Sequence, residues 1–308
     1  MPGSIRNGVL FSMAVLVLVL SACATSPGSQ GPATRQTEDS VIYENLVYAT
    51  RETGDLHLDM SLPKEGSGPY PALIFLHGGG FMEGGRGSHR ADLLFAARRG
   101  YVGVLAEYRL TRPASDPPPH NRFPAAVHDV KAAIRWVRGH AEEYDIDPDR
   151  IGVCGFSAGG NLALMAAFTG PKDGLEGEEL RYEVSSEVQA AVAVGPPVDF
   201  TDPIFELRGY NQRAIPRYLG DRRTHRDAYR EASPINWLDN TDPPVLAIFG
   251  GQDALMGIRQ PATLAYTMQQ ARADHMVLFA SKGSHSWFQL ASPAHDFPLW
   301  SFLDRHLK

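Results

Sequence analysis

The chain has 308 residues, of which 43% are hydrophobic and 21% charged, the composition of an ordinary globular protein with enough apolar material for one large core. Lys and Arg number 29 against 35 Asp and Glu, a formal charge of −6, and no basic block stands out, which argues against a nucleic-acid partner. Two cysteines exclude a disulfide scaffold and a multi-cysteine zinc site.

In chain order, the first 22 residues read as a secretory signal. Arg6 supplies the positive n-region, and the apolar run Val9 to Leu20, broken only by Ser12, is too short to span a bilayer, which takes about 20 residues. Leu20-Ser21-Ala22-Cys23 has the form of a bacterial lipobox, with cleavage before a lipidated Cys23; the alternative is a plain signal with an incidental cysteine. On the lipobox reading the chain is anchored to a bacterial membrane through Cys23 and faces the periplasm or the exterior. With Ala24 following the cysteine, the outer membrane is the expected destination in a Gram-negative cell. Residues 23–38 are then a lipidated flexible tether rich in Ser, Thr, Gly, Pro and Gln, with a reach of at most roughly 50 Å, and the folded domain occupies 39–308.

Leu56, Leu58, Met60 and Leu62 alternate with polar residues, the period of a half-buried strand, and Val41 to Tyr48 is its looser candidate partner. The apolar run Ala72–Leu76 predicts a strand buried on both faces, as do Val102–Ala106, Ile151–Phe156, Ala190–Val194, Val245–Phe249 and Met276–Ala280. Between them, a helix is predicted from Pro124 with the stripe Val127, Val130, Ile134 and Val137, a second over Asn161–Phe168 and a third over Pro261–Ala271. An antiparallel pair followed by repeated strand–helix units specifies an α/β fold, a mostly parallel twisted sheet with helices on both faces. The Pro-rich loop 110–122 and a long insertion at 196–244 break the rhythm and are placed to overhang a site at the sheet edge. Cys154 lies among Ile151, Val153 and Phe156 and reads as a buried, inert thiol.

Gly155-Phe156-Ser157-Ala158-Gly159 follows a predicted strand and opens a predicted helix, the setting in which G-x-S-x-G lifts a strained serine clear of the sheet. His77-Gly78-Gly79-Gly80 follows another strand; its glycines let backbone N–H groups turn toward one point and hold an oxyanion together with the N–H of Ala158. His77 reads as a brace for that loop rather than as a base. A serine nucleophile needs a base and an orienting acid, in chain order Ser, then acid, then His. Asp253 and His285 fall just past successive strands, on the same edge as Ser157. Asp199 is the rival acid; His275 precedes its strand, and His295 lies in a Pro-containing segment. No histidine pair has metal-ligand spacing, so no metal site is expected, and a serine nucleophile with its base and acid needs no cofactor.

These residues resemble the α/β-hydrolase family, most nearly its HGGG-bearing esterase branches: the BD-FAE-like carbohydrate-ester esterases and the hormone-sensitive-lipase-like carboxylesterases. The resemblance rests on LHGGGF, EYRL, FPAAVHDVKAAIRWVRGHAEEYDIDPDRIGVCGFSAGGNLA, YREASPINWL, PPVLAIFGGQD and GSHSW, spread over residues 72–287. It implies Ser157 as nucleophile, His285 as base, Asp253 as acid, and oxyanion donors from Gly79, Gly80 and Ala158. One departure is that Asp253 is followed by Ala254-Leu255-Met256-Gly257 where the family often has a Val-Pro pair. Asp129 and Arg135 match the family as well but read as structural charges. The expected function is a serine carboxylic-ester hydrolase acting on short-chain or carbohydrate-linked acyl esters, with a small cap over residues 200–236 that argues against long-chain triacylglycerols. A peptidase of the same fold and a non-catalytic surface binding protein are the alternatives; the expected partners are a small-molecule or oligosaccharide ester and, through the lipid, a membrane.

Overall fold

The computed structural model describes residues 32–118, 120–177, 183–207, 209–285 and 296–308. The signal and lipid-site readings at residues 1–23 lie outside them, as does His295. All the described residues fall in one unit, Gly31–Lys308.

The apolar runs become strands: β4 Tyr70–Leu76, β5 Val102–Ala106, β6 Ile146–Phe156, β7 Ala190–Val194, β8 Val245–Gly250 and β9 His275–Ala280; the expected burial on both faces fails for β9, the edge strand, whose Met276 and Phe279 are exposed. Every residue of β5 and β7 is buried, as expected of central strands covered on both faces. The alternating segment is β3, Gly54–Pro63, whose Leu56, Leu58 and Met60 point inward; it pairs antiparallel with β2, Ser40–Arg51, and with β5. A further strand, β1 (Ala33–Gln36), pairs antiparallel with β2. The sheet order is β1-β2-β3-β5-β4-β6-β7-β8-β9, parallel from β5 to β9. This is the α/β-hydrolase arrangement. The tether reading therefore needs a correction at its end: residues 33–36 are sheet. All four are exposed, held by backbone pairing to β2 and an ion pair from Arg35 to Glu44, so no hydrophobic period marks them.

Helices cover both faces of the sheet. On one face, α1 (Arg90–Arg98) and α8 (Asp296–Leu307) bring Leu93, Ala96, Leu299 and Leu303 against Leu73, Phe75, Val192 and Ile248. On the other lie α2 (Ala125–Gly139), α3 (Ala158–Phe168) and α7 (Arg259–Ala271), with Val127, Val130, Ile134 and Val137 buried against that side's core. The insertion after β7 carries three short helices: α4 (Ile204–Leu207), α5 (Asn211–Leu219) and α6 (Arg226–Glu231). They form the expected small cap. It is seated by aromatic packing, with the Tyr218 ring of α5 stacked on Phe81 at 3.7 Å between centroids and 4° between planes. The loop 110–122 is tied to the same residue, since Thr111 donates both its N–H and its hydroxyl to the Phe81 carbonyl at 2.7 and 2.9 Å. Both irregular segments thus border the HGGG loop.

Two expected structural charges are in that role. Asp129, fully buried on α2, accepts from Arg51 Nε at 2.9 Å and from the backbone N–H and guanidinium of Arg109 at 2.8–2.9 Å. Arg135 and the buried Lys131 both hold the Glu176 carboxylate. Cys154 is a free, fully buried thiol whose pKa burial pushes up, so it stays protonated and unreactive.

Candidate active site

Because β6, β8 and β9 run parallel, the loops that leave their C-terminal ends share one edge of the sheet. Ser157 lies at the end of β6, Asp253 follows β8 and His285 follows β9.

The β6–α3 turn is sharp because its neighbours have no side chains. A Cβ on Gly155 would sit 2.0 Å from the Gly159 carbonyl oxygen, and one on Gly159 would sit 2.2 Å from the Leu76 carbonyl oxygen. Ser157, between them, is held at φ 54°, ψ −116°, a conformation that costs an L-residue about 1–3 kcal/mol and persists only where the surroundings enforce it. Its N–H is fixed to the Val194 carbonyl at 2.8 Å, and it occupies the N-cap of α3, where the helix dipole favours negative charge.

His285 Nε2 lies 2.9 Å from Ser157 Oγ, and His285 Nδ1 lies 2.7 Å from Asp253 Oδ2. The carboxylate fixes the tautomer: Nδ1–H donates to Asp253, leaving Nε2 to accept from the serine hydroxyl. Asp253 is 5% exposed, and its other oxygen, Oδ1, accepts from the N–H groups of Leu255 and Met256 at 2.9 and 3.0 Å. The acid loop that lacks a Val-Pro pair is therefore closed by two backbone donors onto the acid itself. The imidazole rests near the Phe156 ring, at 5.1 Å between centroids, and over Gly195, where φ is +54° and a Cβ would lie 3.4 Å from the ring.

The rival residues are engaged elsewhere. Asp199 Oδ1 accepts from the N–H and hydroxyl of Thr201, closing a local turn. His275 opens β9, opposite Val245, at the other end of the sheet.

Gly79 and Gly80 take φ +123° and +57°, and their turn is closed by Met82 and Glu83 N–H groups donating to the Gly79 carbonyl at 3.0 and 3.1 Å. Among the described residues nothing accepts from the N–H of Gly79, Gly80 or Ala158. His77 is 3% exposed; Nδ1–H donates to the Gly78 carbonyl at 2.7 Å and the ring stacks on Tyr108 at 4.3 Å. Burial lowers its pKa and keeps it neutral, as befits a brace for the loop.

Sequence reasoning missed several supports: Gly195 beneath the imidazole, Tyr108 beneath His77, and Tyr210, Asn211 and Glu83 at the rim. Tyr108 belongs to EYRL, so a motif did carry a signal there; the other four stand in no motif. A cleft of about 1010 Å³ opens in the cap, lined by Phe205, Gln212, Ile215, Arg222, Tyr229 and their neighbours. None of the triad residues lines it.

The BD-FAE family model matches residues 58–268, more than two thirds of the chain, and takes in the HGGG loop, the serine elbow and Asp253. The chain belongs to the BD-FAE family. Esterase LipC of Mycobacterium tuberculosis is 30% identical to this BD-FAE chain over 235 residues, 75% of the chain and 56% of LipC. The chain spans about half the length of the curated relatives it matches first. Two similar solved structures are a truncated carbohydrate esterase from gut microbiota and a propionate-bound esterase of the planctomycete Thermogutta terrifontis. The first has a TM-score of 0.70 and 27% identity, covering 90% of this chain and 99% of that one. The second has a TM-score of 0.66 and 26% identity, covering 85% and 91%.

Proposed function

We propose that the protein is a serine carboxylic-ester hydrolase that works through an acyl-enzyme. The observation that carries this reading is the hydrogen-bonded line Ser157 Oγ–His285 Nε2, His285 Nδ1–Asp253 Oδ2 at 2.9 and 2.7 Å. In the first half-reaction the Ser157 proton passes to His285 Nε2 while Oγ bonds to the acyl carbon. The carbonyl oxygen takes the negative charge and is held by the N–H groups of Gly79, Gly80 and Ala158. His285 returns the proton to the departing alcohol oxygen as the C–O bond breaks. In the second half, water gives its proton to His285 and attacks the acyl carbon; Ser157 leaves with that proton and the carboxylic acid is released. Asp253 holds the imidazole tautomer and stabilises the imidazolium. No cofactor takes part in these steps.

The substrate class we propose is short-chain or carbohydrate-linked acyl esters. The small cap supports it: its Tyr210 and Ala214 close directly on Gly80, which leaves little room for a long acyl chain beside the oxyanion donors. The names of the similar structures, a carbohydrate esterase and a propionate-bound esterase, point the same way.

A fluorophosphonate is expected to label Ser157 once and abolish turnover of p-nitrophenyl acetate, and Ser157→Ala to be inactive, with chelators without effect. Near-wild-type hydrolysis by Ser157→Ala would overturn the mechanism. Rates on p-nitrophenyl esters of increasing chain length, beside acetylated and feruloylated sugars, test the substrate class, which fails if long-chain esters are preferred.

We also propose that Cys23 anchors the mature chain to a membrane through lipid, on the strength of Leu20-Ser21-Ala22-Cys23 placed directly after the apolar run. Membrane partitioning that Cys23→Ala leaves unchanged would overturn it.

A further inference from the structure

The start of α5 touches both loops that the proposed reaction depends on. The Tyr210 hydroxyl donates to Glu83 Oε1 at 2.9 Å, and a Cβ on Gly80 would meet the Tyr210 ring at 2.8 Å, so this residue lies against the HGGG turn. The next residue, Asn211, is 4% exposed and donates from Nδ2 to the Leu255 carbonyl at 3.0 Å, in the acid loop.

The Leu255 C=O and the Met256 N–H are opposite ends of one planar peptide unit. Asn211 holds its oxygen end, and Asp253 Oδ1 accepts from its nitrogen end at 3.0 Å. Turning that plane about the chain breaks both bonds together and leaves Asp253 Oδ1 held by the Leu255 N–H alone, so the carboxylate that faces His285 Nδ1 is less firmly fixed. We infer that Asn211 is a positioning residue: through the 255–256 peptide it fixes the Asp253 carboxylate, and through Asp253 the imidazole that faces Ser157. The inference rests on the proposed triad and extends it to a cap residue 42 positions before the acid. It also gives the cap a role in catalysis beyond enclosing the substrate. Tyr210 serves the other loop by a separate contact, so the two neighbours act on different parts of the site.

The test is a double-mutant cycle on p-nitrophenyl acetate hydrolysis. Asn211→Ala is expected to lower kcat about tenfold, the scale of one lost buried hydrogen bond expressed in the transition state, with KM little changed. In an Asp253→Asn background the same substitution is expected to change kcat less than about twofold, because its effect runs through the acid. Asn211→Asp fills the same space without the donor; it is expected to reproduce the loss, and it serves as the second variant should the alanine protein fold poorly. Tyr210→Phe is expected to keep its full effect in the Asp253→Asn background. An equal loss from Asn211→Ala in both backgrounds, or no loss in the Asp253-containing enzyme, would overturn the positioning role while leaving the triad intact. Near-wild-type kcat in Asp253→Asn alone would overturn the triad reading and this inference with it.

Discussion

At the scale of single residues, the site works by removing freedom from groups that would otherwise have several choices. Ser157 is held at positive φ, and Gly155 and Gly159 approach carbonyl oxygens too closely to carry side chains. Gly159→Ala is therefore expected to abolish activity and to lower stability, since its Cβ would force the elbow off the Leu76 carbonyl; activity assays and thermal melts measure both. Asp253 has one oxygen for the histidine and one for two backbone donors, so Asp253→Asn keeps the shape and loses the charge. An amide in place of Oδ2 favours the wrong imidazole tautomer, and kcat is expected to fall about 10³–10⁴-fold with the melting temperature nearly unchanged. Asp199→Asn retains the Oδ1 that caps Thr201 and is expected to cost less than about threefold. The reverse ranking in steady-state kinetics would transfer the acid role to Asp199. That Ser157, Asp253 and His285 meet was legible in the sequence because each sits just past a strongly apolar strand and the chain order expected of a triad is restrictive. Asn211 was not: its contact with Leu255 spans 44 residues and depends on how the cap settles on the sheet.

At the scale of elements, the strands that were easiest to read are those buried on both faces. β5 and β7 coincide with their predicted apolar runs, since burial on two sides leaves no polar position to blur the boundary. β6 begins five residues earlier than its apolar run, because Asp147, Pro148, Asp149 and Arg150 continue the strand with exposed or half-buried side chains. The cap helices are short, α5 and α6 carry two Arg each, and α5 contains Pro216, so helical period alone did not separate them. α2 was read correctly as a helix with a buried stripe, but the part its one fully buried carboxylate plays is visible only in three dimensions. Asp129 joins α2 to β2 and to the chain after β5 through Arg51 and Arg109. Asp129→Ala withdraws the acceptor shared by two largely buried guanidiniums and is expected to cost about 3–5 kcal/mol of unfolding free energy in a urea titration. The enzyme that remains folded should keep kcat within a few-fold of wild type, because the clamp contains no group that touches Ser157 or His285. A large loss of kcat at unchanged stability would show instead that the clamp tunes the site.

At the scale of the whole molecule, the proposed triad and one pH-sensitive contribution to stability sit at opposite ends of the sheet. The reacting groups gather where the parallel strands end, whereas Asp242 lies just before the start of β8, in a cleft of about 810 Å³ bordered by Thr169, Lys172, Asp173, Glu187 and Asp239. Burial pushes the Asp242 carboxyl up from 3.8 to about 6. The carboxylates of Asp239 and Asp173 add to the rise, and the Asp239 N–H, donated to Asp242 Oδ2 at 2.7 Å, together with Lys172, opposes it. The native state therefore holds a proton here that the unfolded chain has lost between about pH 4 and 6. This group favours folding at the acid end of that window, and its contribution is lost as the pH rises through about 6. Asp242→Asn keeps an oxygen for the Asp239 N–H and removes the charge that burial disfavours. Its melting temperature is expected to exceed that of the wild type by about 1–2 °C at pH 7.5, a modest gain because the group is only half buried, and to match it at pH 4. Turnover should be unaffected at either pH, since the substitution lies a full strand length from Asp253. Scanning calorimetry at the two pH values reads the difference, and a variant that melts lower than the wild type at pH 7.5 would show that the ionised carboxylate supports the fold there instead of straining it.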